Sequence, residues 1–134
     1  MVRLAQCDAN TPMRSHDLAE LEHLPRKFLE SILLALRRGG FLESRVGSRG
    51  GYQLSRRARQ ISVGDLLRRL EGRLTIKDNQ NLPASELSAG NVACRLINER
   101  LTDATDKVLD QITLEQLVEH VNLVAARNQS MYHI

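Results

Sequence analysis

Residues 45–54, Arg45-Val46-Gly47-Ser48-Arg49-Gly50-Gly51-Tyr52-Gln53-Leu54, place three glycines and two arginines between two short apolar runs. Glycine reaches positive φ without steric cost and leaves room for a close backbone approach. The stretch predicts a tight β-hairpin tip between strands at 41–46 and 52–54. Helix patterns flank it on both sides. Before it, Phe28, Leu29, Ile32, Leu33 and Leu36 recur on one helical face, and Gly39-Gly40 stops the helix. After it, Ser62-Val63-Gly64-Asp65 reads as a helix cap with an acidic partner at its third position. Leu66, Leu67 and Leu70 carry that helix to Gly72.

The remaining chain is helical in pattern. Residues 1–8 read as the end of a helix and residues 8–12 as a loop. Ser15 reads as an N-cap, with Asp17 in a first turn where negative charge favours the helix dipole. Leu18, Ala19 and Leu21 give a short helix, and Pro25 takes the first position of the next. Residues 75–90 are polar and read as a linking loop. A long helix follows from 91 to 111, in which Ala93, Ile97, Leu101, Ala104 and Val108 approximate a coiled-coil seam. An ordinary buried helix face fits the same spacing. Thr113 opens one more short helix, with a loose tail from Arg127.

Helix, short helix, tight turn, basic helix, two strands around a glycine tip, helix: this order is a winged helix-turn-helix. The predicted class is mainly α with a small β-hairpin wing and a long C-terminal dimerisation helix. The winged unit spans 1–75, the loop 76–90, and the dimerisation helix and tail 91–134.

Charge supports a polyanion partner. Residues 1–75 hold 14 Lys and Arg against 8 Asp and Glu, whereas residues 76–134 hold 5 against 8. Within 26–73 the ratio reaches 12 to 4, nearly all arginine. A basic half joined to an acidic half suggests a nucleic-acid module joined to a different one. The only aromatics are Phe28, Phe41, Tyr52 and Tyr132, so the core must be aliphatic. No apolar run is long enough for a membrane span and no secretory signal is visible, so the expected location is the cytoplasm. Cys7 and Cys94 do not make a disulfide framework. The four histidines lack paired metal-ligand spacing. No nucleophile–base set, carboxylate pair or phosphate loop stands out, and an enzyme is not expected.

In a winged helix-turn-helix the second helix enters the major groove of double-stranded DNA by its N-terminal end. Here that end is Pro25-Arg26-Lys27-Phe28-Leu29-Glu30-Ser31. Arg26 and Lys27 suit a phosphate or guanine, Glu30 suits the amino group of cytosine, and Ser31 suits either a base or a phosphate. Glu30 also stands four residues after Arg26, where a helical ion pair is the plainer reading. Arg45, Ser48 and Arg49 with the Gly50-Gly51 backbone are placed to meet the sugar-phosphate chain. Arg56, Arg57 and Arg59 add general attraction, or are plain surface.

These residues also resemble a family. Leu36-Arg37-Arg38-Gly39-Gly40-Phe41-Leu42, the Gly47 to Leu54 wing and Ile61-Ser62-Val63-Gly64-Asp65-Leu66 with Leu70-Glu71-Gly72 look like the Rrf-two type of bacterial transcriptional regulators. Ile112-Thr113-Leu114 with Leu117 resembles the close of that family's dimerisation helix. The resemblance implies a homodimeric regulator, read here as a repressor, on a partly palindromic operator. It puts the family's base-reading glutamate at Glu30.

Three departures accompany it. Family members begin about a dozen residues earlier, so that Met1 to Gln6 resembles only the second half of their first helix, as in a truncated gene model or a natural short form. Val46 stands where many members have the wing arginine. Cluster-binding members carry three cysteines in the loop before the long helix, and this loop has none, so no iron–sulfur cluster is expected. Cys94 is then either a redox-sensing thiol or a small packing residue. A protein or small-molecule effector acting through the loop and the long helix is compatible with the reading. So are a winged-helix module that binds an acidic protein and an effector-sensing partner of a metabolic enzyme.

Overall fold

The computed structural model describes residues 1–8, 10–72 and 88–132. Most of the predicted linker, residues 73–87, lies outside them. Eight elements follow in order: α1 (Val2–Gln6), α2 (Ser15–Leu21), α3 (Arg26–Arg38), β1 (Leu42–Arg45), β2 (Gly51–Leu54), α4 (Val63–Glu71), α5 (Ala89–Gln111) and α6 (Leu114–Met131), with a 3₁₀ turn at Ala58–Gln60 before α4.

Two helix ends set the helix-turn-helix. At the end of α2, Leu24 N–H donates to Ala19 O and His23 N–H to Glu20 O, with His23 left-handed at φ 52°. At the end of α3, Phe41 N–H donates to Leu36 O and Gly40 N–H to Arg37 O, with Gly40 at φ 75°. Both are Schellman closures, which satisfy the last carbonyls while turning the chain sharply. Two cap assignments change. Arg14, not Ser15, is the N-cap of α2; Ser15 is its first helical residue and makes no cap bond. The extended pairing with the wing ends at Met13, so Arg14 takes the cap position and the helix begins one residue earlier than expected. Pro25 is the N-cap of α3 rather than its first residue, with ψ 129°.

The hairpin is antiparallel, pairing Leu42 with Leu54 and Arg45 with Gly51. Met13 adds a bridge beside it: Met13 N–H donates to Tyr52 O at 2.9 Å and Tyr52 N–H to Met13 O at 2.8 Å. Gly51 allows this approach. Its φ is +147°, and a Cβ there would lie 2.5 Å from Met13 C and O. Gly51→Ala is therefore expected to lower stability by about 1–3 kcal/mol through strain. Urea unfolding checks this, and an unchanged midpoint would show that the Met13 bridge contributes nothing.

The core joins all helices except α5: Leu4, Leu18, Ala19, Leu29, Leu33, Leu36, Phe41, Leu42, Ile61, Leu66 and Leu114. Phe28 departs from the predicted apolar face. It is 56% exposed on the first turn of α3, and the buried face begins at Leu29. Ser62 caps α4 as expected, with Asp65 N–H donating to its Oγ at 3.0 Å. A second bridge fastens α6 to the start of α4: Leu114 N–H donates to Ile61 O at 2.9 Å and Val63 N–H to Ile112 O at 2.8 Å. The long helix starts at Ala89, capped by Ser88 Oγ. The helix after Thr113 is not short and residues 127–131 are not loose, because α6 runs to Met131. A reciprocal Thr113–Gln116 capping box starts it, and no Gly or Pro interrupts it.

α5 packs on α4 through polar residues. Arg68 on α4 reaches Asp65, Asp106 and Asp110. Hydrogen bonds to Asp110 first and then Asp65 hold the guanidinium above its ordinary pKa. Asn91, Arg95, Asn98, Thr102, Asp106 and Leu109 are the less exposed positions of α5, whereas Ala93, Ile97, Leu101, Ala104 and Val108 are all exposed. Within one chain the apolar stripe is thus not an ordinary buried face.

Candidate nucleic-acid interface

The first turn of α3 stands free of the core. Arg26, Lys27 and Phe28 are exposed there, and Glu30 is half-buried. Arg26 Nε donates to Glu30 Oε1 at 3.0 Å, the ion pair that the spacing offered. Such an exposed pair is worth under about 1 kcal/mol, so either partner can exchange it for a base or a phosphate. Ser31 Oγ donates to Phe28 O at 2.7 Å. Lys27 has no ion pair among the described residues.

The hairpin brings its arginines to the same side. Arg45, Ser48 and Arg49 are exposed at the tip and Val46 is fully so, while Gly50 is buried under the Arg45 carbonyl. Arg14, His16, Arg26 and Arg45 line one open groove between the starts of α2 and α3 and the wing, together with Asp17, Gly47 and Tyr52. The groove brings together four of the sequence-predicted candidates, Arg26, Arg45, Gly50 and Gly51, with Asp17 as its one acidic lining residue.

Arg14 was not a sequence candidate. Its Nη2 donates to Ser48 O and fastens the wing tip to the start of α2. The partners are 34 residues apart, so no local pattern could reveal the contact. Part of the basic excess also proves to be structural. Arg37 Nη1 donates to Ser44 Oγ at 3.1 Å, Arg69 Nε to Ala35 O at 2.9 Å, and Arg56 lies 5.2 Å over the Phe41 ring. Arg45, Arg49, Arg57 and Arg59 have no such partner among the described residues.

The cysteines stand apart. Cys7 is half-buried at the end of α1, its Sγ donating to Arg3 O at 3.4 Å. Cys94 is exposed on α5, so within one chain it is not a packing residue. Among the described residues no three His, Cys, Asp or Glu side chains are gathered to hold a metal ion, and no helix is long and apolar enough to cross a membrane.

A helix-turn-helix with an exposed basic second helix, and an arginine-tipped hairpin sharing its groove, defines a winged-helix DNA-binding protein. Comparison with known proteins gives the family. The model of the family Rrf2, iron-dependent transcriptional regulator, matches residues 1–120, and the chain belongs to that family. It is 31% identical over 122 residues to the HTH-type transcriptional regulator CymR of Bacillus subtilis, covering 91% of this chain and 83% of that protein. It is 32% identical over 122 residues to the HTH-type transcriptional repressor NsrR of Streptomyces coelicolor, covering 88% and 80%. The solved structure of CymR, the global cysteine regulator of B. subtilis, superposes with a TM-score of 0.72 at 31% identity, covering 89% of this chain and 87% of that one. The chain is thus a DNA-binding transcriptional regulator and not an enzyme.

Proposed function

We propose that this chain is a cytoplasmic repressor that binds a partly palindromic operator as a homodimer. The observation that carries the reading is the shared groove of the α3 N-terminus and the wing, with Arg14, Arg26 and Arg45 on its walls. Arg26, Lys27, Phe28, Glu30 and Ser31 lie in the major groove, and Arg45, Ser48, Arg49, Gly50 and Gly51 follow the backbone beside it. Ala93, Ile97, Leu101, Ala104 and Val108 pack against their symmetry mates, which covers the exposed stripe of α5. Cys94, exposed beside Ala93, is the position at which oxidation would reach that interface. The likeness to NsrR, named as a repressor, supports the direction of control.

The test is a fluorescence-anisotropy titration of duplex DNA from upstream of the gene, beside a scrambled duplex, at two salt concentrations. Tight binding to the native sequence that falls steeply with salt is expected, because phosphate contacts release counterions. Equal weak binding to both duplexes counts against an operator-reading role. In the same assay Glu30→Ala is expected to cost about 1–3 kcal/mol on the native duplex. Binding to the scrambled duplex should hold or improve slightly, since a carboxylate is lost near phosphates. Equal losses on both would remove Glu30 from base reading.

The family description names iron, and the residues of this chain do not fit a cluster. A cluster takes several thiolates; Cys7 and Cys94 are the only cysteines here, one at the end of α1 and one on α5. Protein purified without oxygen is expected to hold no stoichiometric iron or acid-labile sulfide. Stoichiometric amounts of both would overturn this.

A further inference from the structure

A second cleft lies under the base of the wing, between the end of α1, the 3₁₀ turn and the first turn of α6. It holds about 560 Å³ and shares no lining residue with the groove between α3 and the wing. That volume is within the range of small-molecule sites. Arg56, Arg57 and Arg59 line it together with Asp8 and Glu115. None of these five side chains forms an ion pair among the described residues, so both signs of charge stand unpaired around one cleft. Gln53 lines the cleft too and is only 6% exposed. Its Nε2 donates to Glu43, while its Oε1 is buried with no donor. A buried acceptor left without a donor is uncommon in folded proteins and asks for an explanation.

We propose that this cleft binds a small zwitterion of amino-acid size. Arg57 and Arg59 hold its carboxylate, because guanidinium suits a carboxylate's paired oxygens. Glu115 holds its ammonium, and Gln53 lines the same cleft. Gln53 is on β2 and Glu115 is on α6. A ligand in this cleft therefore lies between the wing and the C-terminal helix, the route by which it would alter operator binding. The binding itself does not rest on the operator reading, because it is measured without DNA.

The test is isothermal titration of the full chain with the standard L-amino acids one at a time, with acetate and methylammonium as single-charge controls. Saturable binding of at least one amino acid and of neither control is expected. The double variant Arg57→Ala with Arg59→Ala changes exposed side chains, and circular dichroism checks that it folds. It should weaken that binding by about tenfold or more, equivalent to about 1.4 kcal/mol. No saturation by any amino acid would overturn the proposal, as would acetate binding equally well. So would a double variant that binds as before; if it also loses affinity for DNA of any sequence, these arginines belong to phosphates.

Discussion

Leu101→Asp is expected to break the proposed homodimer into monomers and to lower affinity for the proposed operator by about three orders of magnitude, towards non-specific binding. Leu101 is 47% exposed in the single chain, about 100° around α5 from Thr102, which is 7% exposed. A carboxylate there meets water in the monomer and leaves the fold intact. In a two-fold dimer the substitution occurs twice at one interface. Burying each unpaired carboxylate costs several kcal/mol, more than a coiled seam of this length can offset. Sedimentation velocity should show the monomer, with a melting temperature set only by the loss of the partner. Anisotropy should show that native and scrambled duplexes have become nearly equal. A dimer that keeps full operator affinity would place the interface elsewhere than this stripe.

Leu114→Ala is expected to destabilise each chain by about 2–5 kcal/mol, the cost of a buried leucine plus the cavity it leaves. Leu114 is completely buried and is the first residue of α6, and its N–H donates to Ile61 O. One side chain thus connects α6 to a core otherwise built by the winged unit. Total stability for a domain of this size is about 5–15 kcal/mol, so the loss is a large fraction of it. Val46→Ala is the contrast. Val46 is fully exposed at the wing tip, and its truncation should change stability by under about 0.5 kcal/mol. Chemical denaturation of the two variants beside the parent chain checks both. A Leu114→Ala midpoint equal to the parent's would mean that α6 is not part of the folding unit.

How much was legible depended on the range of the interaction. The 26–38 helix, the hairpin at 42–54 and the capped helix after Ser62 rest on neighbours within a few residues, and the sequence carries those signals directly. The α2 start was misread because Met13 pairs with Tyr52, a partner 39 positions away. Arg14 was missed for the same reason. The last helix reads as short from sequence although it runs on from Glu119 to Met131, more than two thirds of its length, with every residue of that stretch exposed. Phe28 was read with the buried face because 3.6-residue spacing tells which residues share a side, not how far the neighbouring helix covers it.

For the candidate site the division is similar. Residue type alone pointed to Arg26, Lys27 and Glu30 at a helix start and to arginines beside glycines at a turn. Their chemistry, a cationic surface with fixed hydrogen-bonding groups, is a property of the side chains and their local spacing. The Arg26–Glu30 pair follows from spacing within one helix, whereas only the tertiary structure decided that Arg26 and Arg45 border one groove and that Arg37, Arg56 and Arg69 are used inside the fold. Only it could show that the polar side of α5 faces α4 while the apolar side is left open. The physical reason is that periodicity and propensity are sums over adjacent residues. Which face is covered, and which charge finds a partner, depends on groups brought together from distant parts of the chain.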